Sequence, residues 1–158
     1  YNHKNTGRPA TPGRGYQKYR SNYFEVTNDP VYPFGYGLNY TTFSYSGFKL
    51  SANKMDINNG RVTATITVKN TGERDGDEIV QLYIRDMAGS ITRPVKELKG
   101  FKRIHLKKGE SREVSFKITP DMLKFYNYNL DYVCEPGEFQ IMAGSSSEDT
   151  SKAMLTVE

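Results

Sequence analysis

Apolar and polar positions alternate with period two along most of the chain. Val62, Ala64, Ile66 and Val68 interleave with Arg61, Thr63, Thr65, Thr67 and Lys69, which predicts a strand with one buried face and a threonine-rich outer face. Val80, Leu82 and Ile84 alternate with Gln81, Tyr83 and Arg85. Val114, Phe116 and Ile118 alternate with Ser115 and Lys117, and Phe139, Ile141 and Ala143 with Gln140 and Met142. Weaker patterns predict strands over Phe43–Leu50, Leu98–Leu106, Tyr128–Cys134 and Ala153–Val157. Turn residues separate them: Asn58-Asn59-Gly60, Asn70-Thr71-Gly72, Lys108-Gly109 and Pro136-Gly137. Thr119-Pro120-Asp121 has an N-cap residue followed by proline at the first helical position, which predicts one short helical turn.

Seven to eight short strands with regular turns in roughly 115 residues predict an all-β fold, an immunoglobulin-like or fibronectin type III-like β-sandwich. The stretch before Thr41 follows neither period. It is punctuated by Gly7, Pro9, Pro12, Gly13, Gly15, Pro30, Pro33, Gly35 and Gly37, and it reads as an irregular N-terminal arm. The expected division is residues 1–40 as arm and 41–158 as sandwich.

Composition sharpens this division. The 158 residues carry 22 Lys+Arg against 18 Asp+Glu, a formal charge of +4. Five of those basic residues and only two of the acids fall in residues 1–45, together with eight of the 12 tyrosines and four of the seven prolines. So many aromatics imply that the arm packs on something, because a solvated linker would carry fewer. No apolar run reaches the roughly 18–20 residues of a membrane-spanning helix. A single cysteine excludes an internal disulfide, and two histidines with one cysteine do not make a closed zinc site. The chain begins at Tyr1 without a signal-peptide pattern, as a piece of a longer protein would.

Candidate chemistry is sparse. Paired carboxylates are the usual engine of glycoside hydrolysis, but Glu110, Glu113, Asp75, Asp77 and Glu78 fall at turns and strand starts, where nothing is expected to desolvate one acid and raise its pKa. The acid-rich Gly72–Gly76 turn lacks the D-x-D-x-D-G spacing of a calcium loop. Cys134 is expected to be a small buried hydrophobe on an apolar strand, and His105 an outward strand residue. His3 lies in the arm. Gly13-Arg14-Gly15 and Gly35-Tyr36-Gly37 lack the third glycine of a dinucleotide fingerprint and read as turns. Arg14–Arg20 mixes cations with tyrosines and is the best polyanion candidate. Asn39-Tyr40-Thr41 has the form of a glycosylation sequon. No cofactor, metal, membrane or nucleic-acid partner is expected.

Four stretches carry a family resemblance. PFGYGLNYTTF (Pro33–Phe43) resembles the segment entering the C-terminal module of family 3 glycoside hydrolases. VKNTGERDGDEIVQLYIRD (Val68–Asp86) resembles that module's second and third strands, RPVKELKGFKRIHLKKGES (Arg93–Ser111) its long central hairpin, and EPGEFQIMAGSSSED (Glu135–Asp149) its penultimate strand and following loop. Tyr1–Pro9 resembles the tail of the α/β sandwich domain that precedes the module in β-glucosidases. The resemblance implies a parent enzyme with a (β/α)-barrel domain, an α/β sandwich domain and this fibronectin type III-like domain. Its nucleophilic aspartate and acid/base glutamate would lie on the first two, so no catalytic residue is carried onto this chain.

The function implied is a non-catalytic module that stabilises the catalytic domains of its own parent chain, with Tyr32, Phe34, Tyr36 and Tyr40 burying rings against them. In the isolated piece these rings are expected to fold back or stay mobile. The alternatives are a carbohydrate-binding module that presents Tyr83, Tyr126 and Tyr128 to an oligosaccharide, and a polyanion-binding arm. The compartment is left open, with periplasm or secretion the expectation for the parent.

Overall fold

A computed structural model describes residues 8, 9, 11, 14, 16–21 and 29–158; His3, Gly13 and Gly15 lie outside them. Among the described residues, ten strands and one helical turn follow in the order β1 (Phe43–Leu50), β2 (Lys54–Met55), β3 (Val62–Asn70), β4 (Gly76–Asp86), β5 (Glu97–Leu106), β6 (Ser111–Ile118), α1 (Pro120–Leu123), β7 (Phe125–Tyr126), β8 (Tyr132–Val133), β9 (Gly137–Gly144) and β10 (Thr150–Val157). A three-stranded sheet, β1-β3-β6, faces a five-stranded one, β2-β10-β9-β4-β5, and β7-β8 forms a separate small hairpin. The all-β sandwich read from the periodicity is the fold observed.

The core lies between the two sheets and takes its residues from the predicted inward positions. Val62, Ala64, Ile66 and Val68 of β3, with Val114, Phe116 and Ile118 of β6, meet Val80, Leu82 and Ile84 of β4, Phe139, Ile141 and Ala143 of β9, and Leu155 and Val157 of β10. Burying each of the larger side chains contributes about 1.5–3 kcal/mol. In β1 the apolar positions change phase, from Phe43 and Tyr45 to Phe48 and Leu50, and all four still pack on this core. A bulge between Ser46 and Lys49, with Gly47 at φ +62°, absorbs the extra residue.

Two expectations are corrected. Arg93–Ser111 is not a hairpin: β5 pairs with β4 in one sheet and β6 with β3 in the other. The Lys107–Glu110 turn, with Gly109 at φ +76°, carries the chain across. Ile104 and Leu106 can then face Val114 and Phe116 through the core, which adjacent strands of one sheet could not arrange. Tyr128–Cys134 is not one strand either. The Asn127 side-chain oxygen accepts hydrogen bonds from the Asn129 and Asp131 amides, and Leu130 adopts φ +66°. This local side-chain pairing replaces the ladder by a turn between β7 and β8. Cys134 follows β8 half-buried, its thiol against the core and its pKa raised, chiefly by burial. The helical turn at Pro120 forms as predicted, although Thr119 makes no side-chain cap.

Candidate functional site

The outward face of the β1-β3-β6 sheet is polar throughout. Ser44, Ser46 and Lys49 lie beside Thr63, Thr65, Thr67 and Lys69, and these beside Ser111, Glu113, Ser115 and Lys117. The outward face of the five-stranded sheet is different. Ile79 pairs with Arg103, Gln81 with Phe101, and Tyr83 with Leu98 and Met142. Ile79 is 46% exposed and Phe101 66%, side chains that an outer sheet face in water does not need.

Onto this face folds the segment from Phe34 to Thr41. Gln81 Nε2 donates to the Gly35 carbonyl (3.0 Å) and to the Ser145 carbonyl (2.6 Å). Its Oε1 accepts from the Tyr83 hydroxyl. The Ser147 amide donates to the Phe34 carbonyl at 2.8 Å. Gly35 sits at φ +81°, and a side chain there would run into the Gln81 amide, so only glycine allows this approach. The Ser145–Asp149 loop that receives the segment is shaped by its own serines: Ser146 Oγ accepts from the Asp149 amide and Ser145 Oγ donates to the Asp149 carboxylate. Three stretches far apart in sequence thus converge here. Together with β5 they bound an open cleft of about 500 Å³ lined by Phe34, Tyr36, Ile79, Leu98 and Phe101, with Glu78 and Asp149 at its polar side.

Glu78 corrects the expectation that no acid here is desolvated. It lies on β4 rather than in the turn before it and is 7% exposed. Oε1 accepts from the Tyr45 hydroxyl at 3.0 Å and Oε2 from Asn39 Nδ2 at 3.2 Å. Burial raises its pKa above the ordinary carboxylate range, with a minor contribution from the Asp149 charge, while the bonds from Tyr45 and the Ile79 amide pull it down. Because the folded-state pKa exceeds the unfolded one, the stabilising contribution is complete in acid and is lost as pH rises through the folded value. Glu78→Gln is therefore expected to flatten the fall in thermal midpoint from about pH 4.5 upward, which unfolding scans across pH would read. An unchanged slope would show that another group carries the dependence.

Of the remaining candidate acids, Asp77, Asp75 and Glu110 are engaged in structural contacts, while Glu113 lies on the polar outer face of β6 opposite Thr67. Asp77 accepts from Arg103 and His105, and these bonds, Arg103 first, lower its pKa. His105 points outward, as predicted. Asp75 accepts from the Lys108 amide, and Glu110 from the Lys107 amide and Arg112. Among the described residues, no three His, Cys, Asp or Glu side chains are grouped to hold a metal ion. No helix among them is long and apolar enough to cross a membrane.

The predicted tyrosines divide by location. Tyr32 and Tyr40 keep their rings largely in solvent, Tyr40 at 96% exposure, while Tyr36 is about half covered and Phe34 more than half, and the Phe34 and Gly35 backbone is bonded to the sheet. Tyr32 and Tyr36 rings lie 5.1 Å apart. Tyr83 is corrected: it is 2% exposed, burial pushes its phenol up to about 12, and it offers no ring face to a glycan. Tyr126 and Tyr128 are exposed on the β7–β8 hairpin. The periodicity did not reveal Gln81, which looks like any outward polar residue, and Gly35 was visible only as part of the PFGYGL motif.

Comparison with known proteins agrees with this architecture. Residues 78–147 match the model of the fibronectin type III-like domain. The chain is 49% identical over 147 residues to a periplasmic β-glucosidase of Salmonella typhimurium, covering 93% of this chain and 19% of that protein. It is 46% identical over 152 residues to a β-xylosidase of Formosa agariphila, covering 95% of this chain and 20% of the relative. Among solved structures, a β-glucosidase of Listeria innocua in complex with gluconolactone superposes with a TM-score of 0.91 at 39% identity, over 99% of this chain and 22% of that one. A Bifidobacterium adolescentis GH3 β-glucosidase gives 0.73 at 34% identity, over 84% and 19%. The chain spans about a fifth of the length of these relatives. Residues 78–147 thus have the character of a fibronectin type III-like domain, and nearly the whole chain is similar to about a fifth of larger glycosidases, a GH3 β-glucosidase among them.

Proposed function

We propose that this module buttresses the catalytic domains of a β-glucosidase-type parent enzyme, held in the periplasm or secreted. The observation that carries the reading is the contrast between the two outer faces: one is wholly polar, while the other presents Ile79, Leu98 and Phe101 beside Phe34 and Tyr36. Antiparallel sandwiches keep apolar side chains on an outer face where something covers it. The segment that leads toward the preceding domains, Phe34–Thr41, is bonded to that same face, so the neighbour it serves is the chain it continues. Tyr32 and Tyr40 add rings at the margin. Each ring buried there would contribute about 1.5–3 kcal/mol.

The test is Phe101→Glu made both in the full-length parent and in the isolated chain. Phe101 is exposed in the isolated module, whose thermal midpoint should hold. In the parent, the midpoint of the catalytic domains and the half-life of glycosidase activity at elevated temperature should both fall. A parent that tolerates the charge without change would refute the docking face.

A further inference from the structure

The β7–β8 hairpin belongs to neither the core nor the arm seat. Its sequence alternates rings and apolar groups with short polar ones: Tyr126, Asn127, Tyr128, Asn129, Leu130, Asp131, Tyr132. All four large side chains are exposed, Tyr128 at 89%. The Tyr126 and Tyr132 rings lie 4.9 Å apart at 42° to each other, directly paired across the ladder. Single exposed rings are ordinary, but a contiguous cluster of them marks an interaction surface.

The hairpin is also preorganised. Phe125 at its base is buried, and the Arg93 guanidinium lies 4.2 Å from the centre of its ring. The Asn127 amide donates to the Asp131 carbonyl, the Leu130 amide donates to the Asn127 carbonyl, and the Asn127 side chain ties the turn from inside. Holding Leu130 at φ +66° costs backbone energy, which these bonds offset. Rings fixed in advance lose little freedom on binding.

Charge narrows the ligand. Residues 125–133 contain no Lys or Arg and one acid, Asp131, so phosphate backbones and anionic lipid surfaces are disfavoured. The nearest cation in sequence, Lys124, is paired with Asp121 at 2.6 Å. A protein-docking centre is contiguous and apolar with a polar rim, whereas here every ring alternates with an amide or carboxylate. A surface of aromatic faces interleaved with amides and a single carboxylate suits a ligand with apolar faces and hydroxyl edges. We propose that the β7–β8 hairpin is a binding platform for a neutral pyranose polymer, with Tyr126, Tyr128 and Tyr132 stacking on sugar rings and Asn129 and Asp131 bonding hydroxyls.

The platform is independent of the docking face. Arg93, beneath it, also pairs with Asp86 at the C-terminal end of β4, while the arm seat gathers around Glu78 near the other end and Gln81 at mid-strand. At the usual rise per residue, Asp86 lies about 17 Å from Gln81 and about 27 Å from Glu78 along the strand. Failure of one proposal therefore leaves the other standing.

Affinity electrophoresis of the whole 158-residue chain in gels cast with laminarin or with xylan provides the test. The expected result is retarded migration, weakened about tenfold by Tyr128→Ala or Tyr126→Ala, as loss of one stacking ring predicts, and retained by Tyr128→Phe. Tyr128 is so exposed that its variants should keep the wild-type thermal midpoint, which separates loss of binding from loss of fold. Migration unaffected by either polymer overturns the proposal, as does retardation that survives both alanine variants. A dimer in size exclusion that dissociates on Tyr128→Ala, with no glycan retardation, also overturns it and makes the hairpin a self-association site.

Discussion

Asn70→Ala is expected to destabilise the sandwich by about 3 kcal/mol, with the loss read from urea unfolding followed by far-ultraviolet circular dichroism. Asn70 is fully buried at the end of β3, and all its side-chain capacity is used. Nδ2 donates to the carbonyls of Arg74 (2.8 Å) and Leu106 (3.1 Å), while Oδ1 accepts from Thr41 Oγ1 (2.8 Å) and the Gly72 amide (3.1 Å). One amide thus joins the start of the sandwich, the β3–β4 turn and the end of β5. Each bond contributes about 1 kcal/mol net, and each buried group left without a partner costs about 1–3 kcal/mol. Relaxation and water entry offset part of that sum. Asn70→Asp keeps the shape but turns a carboxylate oxygen toward two carbonyls. It should destabilise comparably at neutral pH and recover partly in acid, where a protonated carboxyl donates again. Wild-type stability in Asn70→Ala would mean that the turn holds without its clamp.

Arg93→Ala should cost about 3–5 kcal/mol, the usual result of removing one partner from a buried ion pair. The Arg93 side chain is 9% exposed and reaches Asp86 Oδ2 at 3.5 Å and Glu97 Oε2 at 2.9 Å, with Phe125 against its guanidinium. Asp86 is itself buried, and that burial raises its pKa despite the arginine. In Glu97 the burial is outweighed by Lys99 and Arg93, which lower its pKa. Without Arg93 the Asp86 carboxylate has no cation within the buried site, and its pKa should climb further. Adding Asp86→Asn to Arg93→Ala should then restore part of the loss, whereas Arg93→Lys, which keeps charge but not the planar fork, should fall between. Chemical denaturation of the four proteins measures this. Lack of rescue by Asp86→Asn would place the cost in lost packing on Phe125 instead.

The legible part of this protein is what period-two alternation encodes. Val62–Val68, Val80–Ile84, Val114–Ile118 and Phe139–Ala143 each declare their own inward face, and those faces do form the core. The phase change in β1 could be read in the same way, because apolar residues at 43, 45, 48 and 50 need a bulge at Gly47 to share a face. Pairing partners were less legible. Nothing local says that β5 and β6, separated by a four-residue turn, belong to opposite sheets. That follows only when both inward faces must meet across one core. The Tyr128–Cys134 error has the same root in reverse, since Asn127 chose a local hydrogen-bonded turn over the strand that aromatic propensity favoured.

By itself the sequence determined the fold class, the inward residues, the helical turn at Pro120 and the likeness to family 3 glycoside hydrolases, because these depend on residue type at fixed spacing. Tertiary structure alone decided which polar residues were structural. Asn70, Glu78, Gln81 and Arg93 look like ordinary turn or surface positions in one dimension. Each became a buried, fully engaged group only when distant carbonyls, hydroxyls and carboxylates were brought around it. It also decided that Tyr83 is inside and Tyr126, Tyr128 and Tyr132 outside, since the burial of an aromatic ring depends on what the rest of the chain lays over it.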